Sequence, residues 1–158
     1  MRPTRTRYKV VAFAISLATI QYLDRVAISS AAAVPNIRKS LGLSDIQMGW
    51  VFSAFALAYA AFEIPTAWWA DRRGTRHILT RIVLWWSGFT ALTGAATGFW
   101  PLLATRFLFG AGEAGAYPNA SGVVARWFPF REHARTQGFI WAASRFGGAL
   151  SPLLVVPL

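Results

Sequence analysis

Residues 105–119 read T-R-F-L-F-G-A-G-E-A-G-A-Y-P-N, inside a run, 101–125, that is otherwise apolar. About 20 apolar residues suffice to cross a bilayer as a helix, so the run qualifies as a span. It nevertheless carries Arg106 and Glu113, seven positions apart. That spacing is about two helical turns, so both side chains leave one face. Gly110, Gly112 and Gly115 surround the glutamate with almost no bulk, which lets a second helix approach closely. A charge at the bilayer centre costs on the order of 3 kcal/mol. Two on one face, in a groove of glycines, read as the wall of a polar pathway between helices. The alternative is a structural ion pair that locks two helices together.

The bulk composition agrees with a membrane chain. Of 158 residues, 55% are hydrophobic and only 14% charged, where a water-soluble domain carries nearer 25% charged. The formal charge of +10 would suit nucleic acid if the basic residues shared a soluble face. They sit between apolar runs instead, which argues against a nucleic-acid partner. No cysteine is present, so the redox compartment is not indicated. The N-terminus resembles a secretory signal, with Arg2, Arg5, Arg7 and Lys9 before an apolar stretch and Ala31-Ala32-Ala33 beyond it. Asp24 and Arg25 interrupt that pattern and further apolar runs follow, so the segment reads as a first membrane helix.

The fold class expected is an all-α membrane protein with five transmembrane helices, at about 8–34, 46–69, 78–98, 101–125 and 134–158. Ser44 or Asp45 is available to cap the second. Eleven basic residues lie in the tail, after the second helix and after the fourth, against Arg38 and Lys39 on the other side. That bias places the N-terminus in the cytoplasm. Trp68, Trp69, Trp85, Trp86, Trp100 and Trp127 fall near span ends, where interface anchors belong. Five spans leave the last residue outside with no polar tail, the expectation for a fragment of a longer chain.

Asp24 and Arg25 lie in the first helix, Arg106 and Glu113 in the fourth, Arg145 in the fifth. Glu113 is 12 residues past Pro101, about 18 Å along a helix and so near the middle of a core about 30 Å thick. Arg145 is similarly deep. Isolated, five such charges would cost roughly 15 kcal/mol, so they are expected to converge. Ionised, three arginines and two carboxylates carry +1; with both carboxylates protonated they carry +3. The set therefore favours anions, more so when protonated, which is the sign that proton–anion coupling needs. Internal neutralisation is the alternative. Glu63, two residues before Pro65, lies nearer the cytoplasmic end and suits a structural or gating role. A short pattern, Ala33-Val34-Pro35-Asn36, recurs as Ala116-Tyr117-Pro118-Asn119, as inverted repeats would require; the second and fifth helices show no matching motif, and chance recurrence is the alternative.

Residues 67–77 read A-W-W-A-D-R-R-G-T-R-H, a tight basic turn in which Gly74 permits a positive φ. This stretch resembles the helix 2–3 loop of the major facilitator superfamily, G-x-x-x-D-R-x-G-R-K/R. Asp71, Arg72, Gly74 and Arg76 match; Ala67 and Thr75 depart from it. More specifically, the chain is similar to the anion:cation symporter family, with its bacterial sugar-acid and aromatic-acid members. Tyr22-Leu23-Asp24-Arg25 resembles that family's Tyr-x-Asp-Arg pattern, and Arg106, Gly110, Glu113 and Pro118-Asn119 its helix 4 pattern. Trp127-Phe128-Pro129 resembles its helix 4–5 loop, although His133 stands where an arginine is common.

The resemblance covers essentially the whole chain. It implies a twelve-helix transporter with two six-helix halves and alternating access, of which this chain is most of one half, without helix 6 or the C-terminal half. It implies proton coupling at Asp24 and Glu113, and anion or charge-relay roles for Arg25 and Arg106. Tyr22 and Asn119 lie in the same matched motifs and are placed with the substrate. Arg145 joins them from depth and charge. Asp71, Arg72, Gly74 and Arg76 form a conformational loop, with Asp71 expected to approach Arg126 or Arg135.

The partners implied are a small organic anion, protons, the lipid bilayer and the other half of the transporter, in the inner (plasma) membrane. Sodium coupling, exchange and a non-transporting scaffold stay open as alternatives. An enzyme is not supported: no His/Asp/Glu group has metal-ligand spacing and no nucleophile has a placed base. No cofactor is implied.

Overall fold

A computed structural model describes residues 6–34 and 41–155. Among them there is no strand. The helices are α1 (Thr6–Ala32), α2 (Asp45–Arg73), α3 (Thr75–Gly94), α4 (Phe99–Glu113), α5 (Ala116–Trp127) and α6 (Phe130–Val155). These are the five anticipated helices, with the fourth broken into α4 and α5. The second half of the Ala-x-Pro-Asn repeat opens α5; Pro35 and Asn36 of the first lie outside the described residues, as do Arg2, Arg5, Arg38 and Lys39.

The break in the fourth helix has a local cause. Gly115 has φ of 87°, a left-handed conformation that costs any residue with a Cβ. A Cβ there would also lie 2.6 Å from Thr66 Cγ2 of α2. The hydrogen-bond ladder closes on both sides of the break: Ala114 N–H donates to Gly110 O at 3.0 Å, and Asn119 N–H to Gly115 O at 3.1 Å.

Ser44 is the cap of α2. Its Oγ accepts from Gln47 N–H at 3.2 Å, while its own N–H donates to Gln47 Oε1 at 2.9 Å. This reciprocal pair satisfies two of the amides that a helix start leaves open. α2 then runs through Pro65 and past the expected end at 69 to Arg73. Gly74, at φ of 89°, turns the chain directly into α3, and its N–H bonds Ala70 O at 2.9 Å. α3 ends at Gly94, short of the expected 98, and α6 begins at Phe130, ahead of the expected 134. Apolar periodicity marks the buried part of a helix, and real helices continue into polar sequence wherever their amides find acceptors.

The chain forms two compact units, residues 36–119 and residues 1–35 with 120–158. In the second of these α1 packs along α6. Its core is Ala14 and Ala18 of α1 with Val124, Phe128 and Ile140. Gly147 of α6 faces the backbone carbonyl of Thr19, and any Cβ would collide with it. Arg7 and Glu132, in the first turns of the same two helices, pair at 3.2 Å.

In the other unit α4 packs against α2 and α3. Gly110 lies against Phe55 and Ala58, and Gly112 against the indole of Trp85. The close helix approach that the glycines suggest is therefore present. Trp85 Nε1 donates to Leu108 O at 2.9 Å, and Trp86 is 4% exposed. Both stand mid-helix in α3, Trp85 bonded to α4 and Trp86 buried, which corrects their reading as interface anchors. Trp68, Trp100 and Trp127 do face outward.

α1 and α2 are each long and apolar enough to cross a membrane. Large apolar side chains such as Leu57, Ile64, Leu84 and Phe146 are exposed. Apolar surface of this kind is unusual in water and ordinary against lipid.

Candidate functional site

Within the α1–α6 unit, Tyr22 is the meeting point. The close contact of Gly147 with Thr19 draws α6 onto α1 one turn before it. Tyr22 Cδ1 then lies 3.4 Å from where a Cβ on Gly148 would be. Arg145, three residues earlier on α6, shares that face. Its Cζ sits 5.3 Å from the Tyr22 ring centroid and 5.9 Å from that of Trp141. Arg25, three residues after Tyr22 on α1, places its Cζ 5.1 Å from the same centroid. These distances lie within the roughly 6 Å over which a ring face attracts a cation. Asp24 and Arg25 are half-buried, and Arg145 is exposed. Gln21, one turn before Arg25, is 3% exposed, and its Nε2 has no hydrogen-bond partner among the described residues.

Within the α2–α3–α4 unit, Arg106 is 3% exposed and Glu113 fully enclosed. Arg106 Cζ lies 4.5 Å from the Phe109 ring centroid and 4.9 Å from that of Phe55. The two rings, themselves 5.7 Å apart, form an aromatic cradle for the guanidinium. Such a contact contributes about 2 kcal/mol when desolvated. Glu113 is the last residue of α4, directly before the break at Ala114 and Gly115. Asn119, 3% exposed, donates from Nδ2 to Gly115 O at 2.7 Å, and its Oδ1 has no hydrogen-bond partner among the described residues. Glu113 and Asn119 thus flank the one irregular turn in this helix.

The remaining predicted residues lie on α2 and around the turn into α3. Asp71, Arg72 and Arg76 are exposed around Gly74, with Arg72 Cζ stacked 3.8 Å from the Trp68 ring centroid. Glu63 is half-buried and accepts from Tyr59 Oη at 3.5 Å. No group of three metal-ligating side chains occurs among the described residues.

Sequence reasoning missed Phe55, Phe109, Trp141 and the Gly147-Gly148 pair. Phe109 follows Arg106 at helical spacing and was detectable from that. Phe55 has no such signal, because it arrives from another helix.

The comparisons with known proteins identify the family. A family model for the Major Facilitator Superfamily matches residues 14–156. The probable sulfoacetate transporter SauU of Cupriavidus necator is 40% identical over 152 residues, which cover 96% of this chain and 35% of that protein. The D-galactonate transporter of Escherichia coli O6:H1 is 36% identical, over 98% of this chain and 36% of its own length. The crystal structure of a bacterial homolog to the human lysosomal transporter Spinster, inward-facing and unoccupied, superposes with a TM-score of 0.86 at 32% identity. That match covers 94% of this chain and 31% of that one. The chain thus spans about a third of the length of these relatives. Its helices, its buried charges and these matches together show that the chain belongs to the major facilitator superfamily.

Proposed function

We propose that these helices serve a proton-coupled symporter of small organic anions, sugar acids foremost, in the inner membrane with a cytoplasmic N-terminus. The observation that carries this reading is the enclosed carboxylate of Glu113 on the same helix as the enclosed guanidinium of Arg106. Arginine keeps its charge, whereas a buried carboxylate can exchange its charge for a proton. Protonating Asp24 and Glu113 takes the five-charge set from +1 to +3. Proton and anion then strengthen each other's binding, and by linkage the effect is reciprocal. Arg25 and Arg145 with Tyr22 in one unit, and Arg106 with Asn119 in the other, are the residues assigned to anion binding. The irregular turn at Gly115 gives α4 and α5 a place to move as access alternates. Asp71, Arg72, Gly74 and Arg76 act as a loop that responds to that movement.

The relatives support the substrate class: they are named as transporters of sulfoacetate, D-galactonate and galactarate/D-glucarate. They are also about three times as long, and transport activity is assigned here to a protein of that length, with these helices in its first half. The test is intact transporter in liposomes loaded with a pH-sensitive dye, in sodium-free buffer. Adding D-galactonate outside should acidify the lumen as substrate enters. Uptake that requires sodium and moves no protons would replace this reading with sodium coupling.

A further inference from the structure

Arg25 of α1 and Arg145 of α6 share one tyrosine ring, their Cζ atoms 5.1 and 5.3 Å from its centroid. The two cationic carbons are therefore no more than about 10 Å apart, the two distances laid end to end. An arginine side chain is a permanent cation with a planar fork of donors. Asp24, next to Arg25, leaves this cluster at +1 when ionised and +2 when protonated. A single carboxylate on the ligand balances one guanidinium of the protonated cluster. An acid with an anionic group at each end balances both.

The position of Arg145 fits a ligand-facing role better than a packing role. Its neighbours on α6, Ser144 and Gly147, are buried against the unit, while Arg145 itself is exposed. The Tyr22 ring, near Gly148, attracts the Arg145 guanidinium at 5.3 Å, and a guanidinium held in this way can still offer two parallel donors to a two-oxygen group.

We infer that Tyr22, Arg25 and Arg145 form a subsite for doubly charged organic acids, in which Arg145 selects dianions over monoanions. The inference rests on the organic-anion reading above. The probes are galactarate and D-galactonate, six-carbon acids that differ only in a second carboxylate in place of a terminal hydroxymethyl group. Equilibrium binding to the intact transporter at neutral pH and low salt reads the ratio of their affinities. The wild type should prefer galactarate by about tenfold or more, the equivalent of one added charge pair. Arg145→Gln should bring the ratio to near unity, the loss falling more heavily on galactarate than on D-galactonate. Arg145→Lys should keep a preference, since it retains the charge, whereas a packing role would not separate Lys from Gln in this ratio. Arg25→Gln should weaken both acids.

Equal affinity of the wild type for the two acids would overturn the inference with no variant needed. So would an Arg145→Gln protein that keeps the wild-type ratio. Binding of neither acid would instead overturn the anion-transport reading, and this inference with it.

Discussion

Gly147 of α6 lies so close to the carbonyl of Thr19 on α1 that a Cβ cannot be placed there without moving backbone. This contact sets the separation of the two helices and, one turn on, lets Arg145 reach Tyr22. Gly147→Leu should therefore force α1 and α6 apart, costing upward of about 3 kcal/mol, beyond the usual range for overpacking because backbone must yield. Gly88→Ala is the control: nothing lies within 4 Å of its would-be Cβ, and removing a helical glycine should leave stability equal or up to about 1 kcal/mol higher. Thermal melts of both variants in detergent check this. Equal melting temperatures would show that the Gly147 contact does not govern the packing.

The Arg7–Glu132 pair at 3.2 Å links the first turns of α1 and α6 at one end of their unit. Arg7 is held further by Tyr8, whose Oη accepts from Nη2 at 2.9 Å, and by the face of Phe128. Glu132 is 42% exposed, so salt reaches the pair. Glu132→Gln should lower the melting temperature slightly in dilute buffer. The difference should vanish near 1 M salt, where the screening length falls to about 3 Å. A difference that persists at high salt would mean the glutamate acts by something other than its charge.

Much of this fold was readable from sequence, because it depends on local signals. The apolar runs marked the helices, Ser44 or Asp45 marked a helix start, and Gly74 marked a turn that permits a positive φ. The break at Gly115 was not readable: a glycine in a membrane helix serves close packing or a positive φ with the same single letter, and Gly115 does both. Trp86 was misplaced because a tryptophan near an expected span end resembles an interface anchor until the neighbouring helix is in view. At the site, Arg106 and Glu113 were visible as charges where apolar residues belong. The cradle from Phe55, and the meeting of Arg145 with a tyrosine 123 positions away, depend on how helices register in space, which no periodicity encodes.

Topology follows from charge bias and has a direct check, because the chain contains no cysteine. Ile46, 76% exposed at the start of α2, should as Ile46→Cys label only from outside the cell. Arg131→Cys, in the first turn of α6, should label only from the cytoplasm. The opposite pattern would invert the orientation drawn from the positive-inside rule.

Arg106→Lys keeps the charge in the aromatic cradle and loses the planar pair of donors. Anion affinity should fall about tenfold or more, the equivalent of one charge-assisted hydrogen bond, with the melting temperature little changed. Undiminished affinity, measured by equilibrium binding of D-galactonate, would remove Arg106 from the anion site and leave it as packing for Phe55 and Phe109.

The central claim is that Glu113 carries the transported proton, and uphill uptake by the intact transporter in proteoliposomes tests it most directly. Glu113→Gln is isosteric and mimics the protonated acid permanently. It should bind D-galactonate and exchange internal for external substrate, yet fail to accumulate it when a proton gradient is imposed. A Glu113→Gln protein that concentrates substrate against its gradient as the wild type does would contradict the claim, and would leave the Arg106–Glu113 face as structure alone.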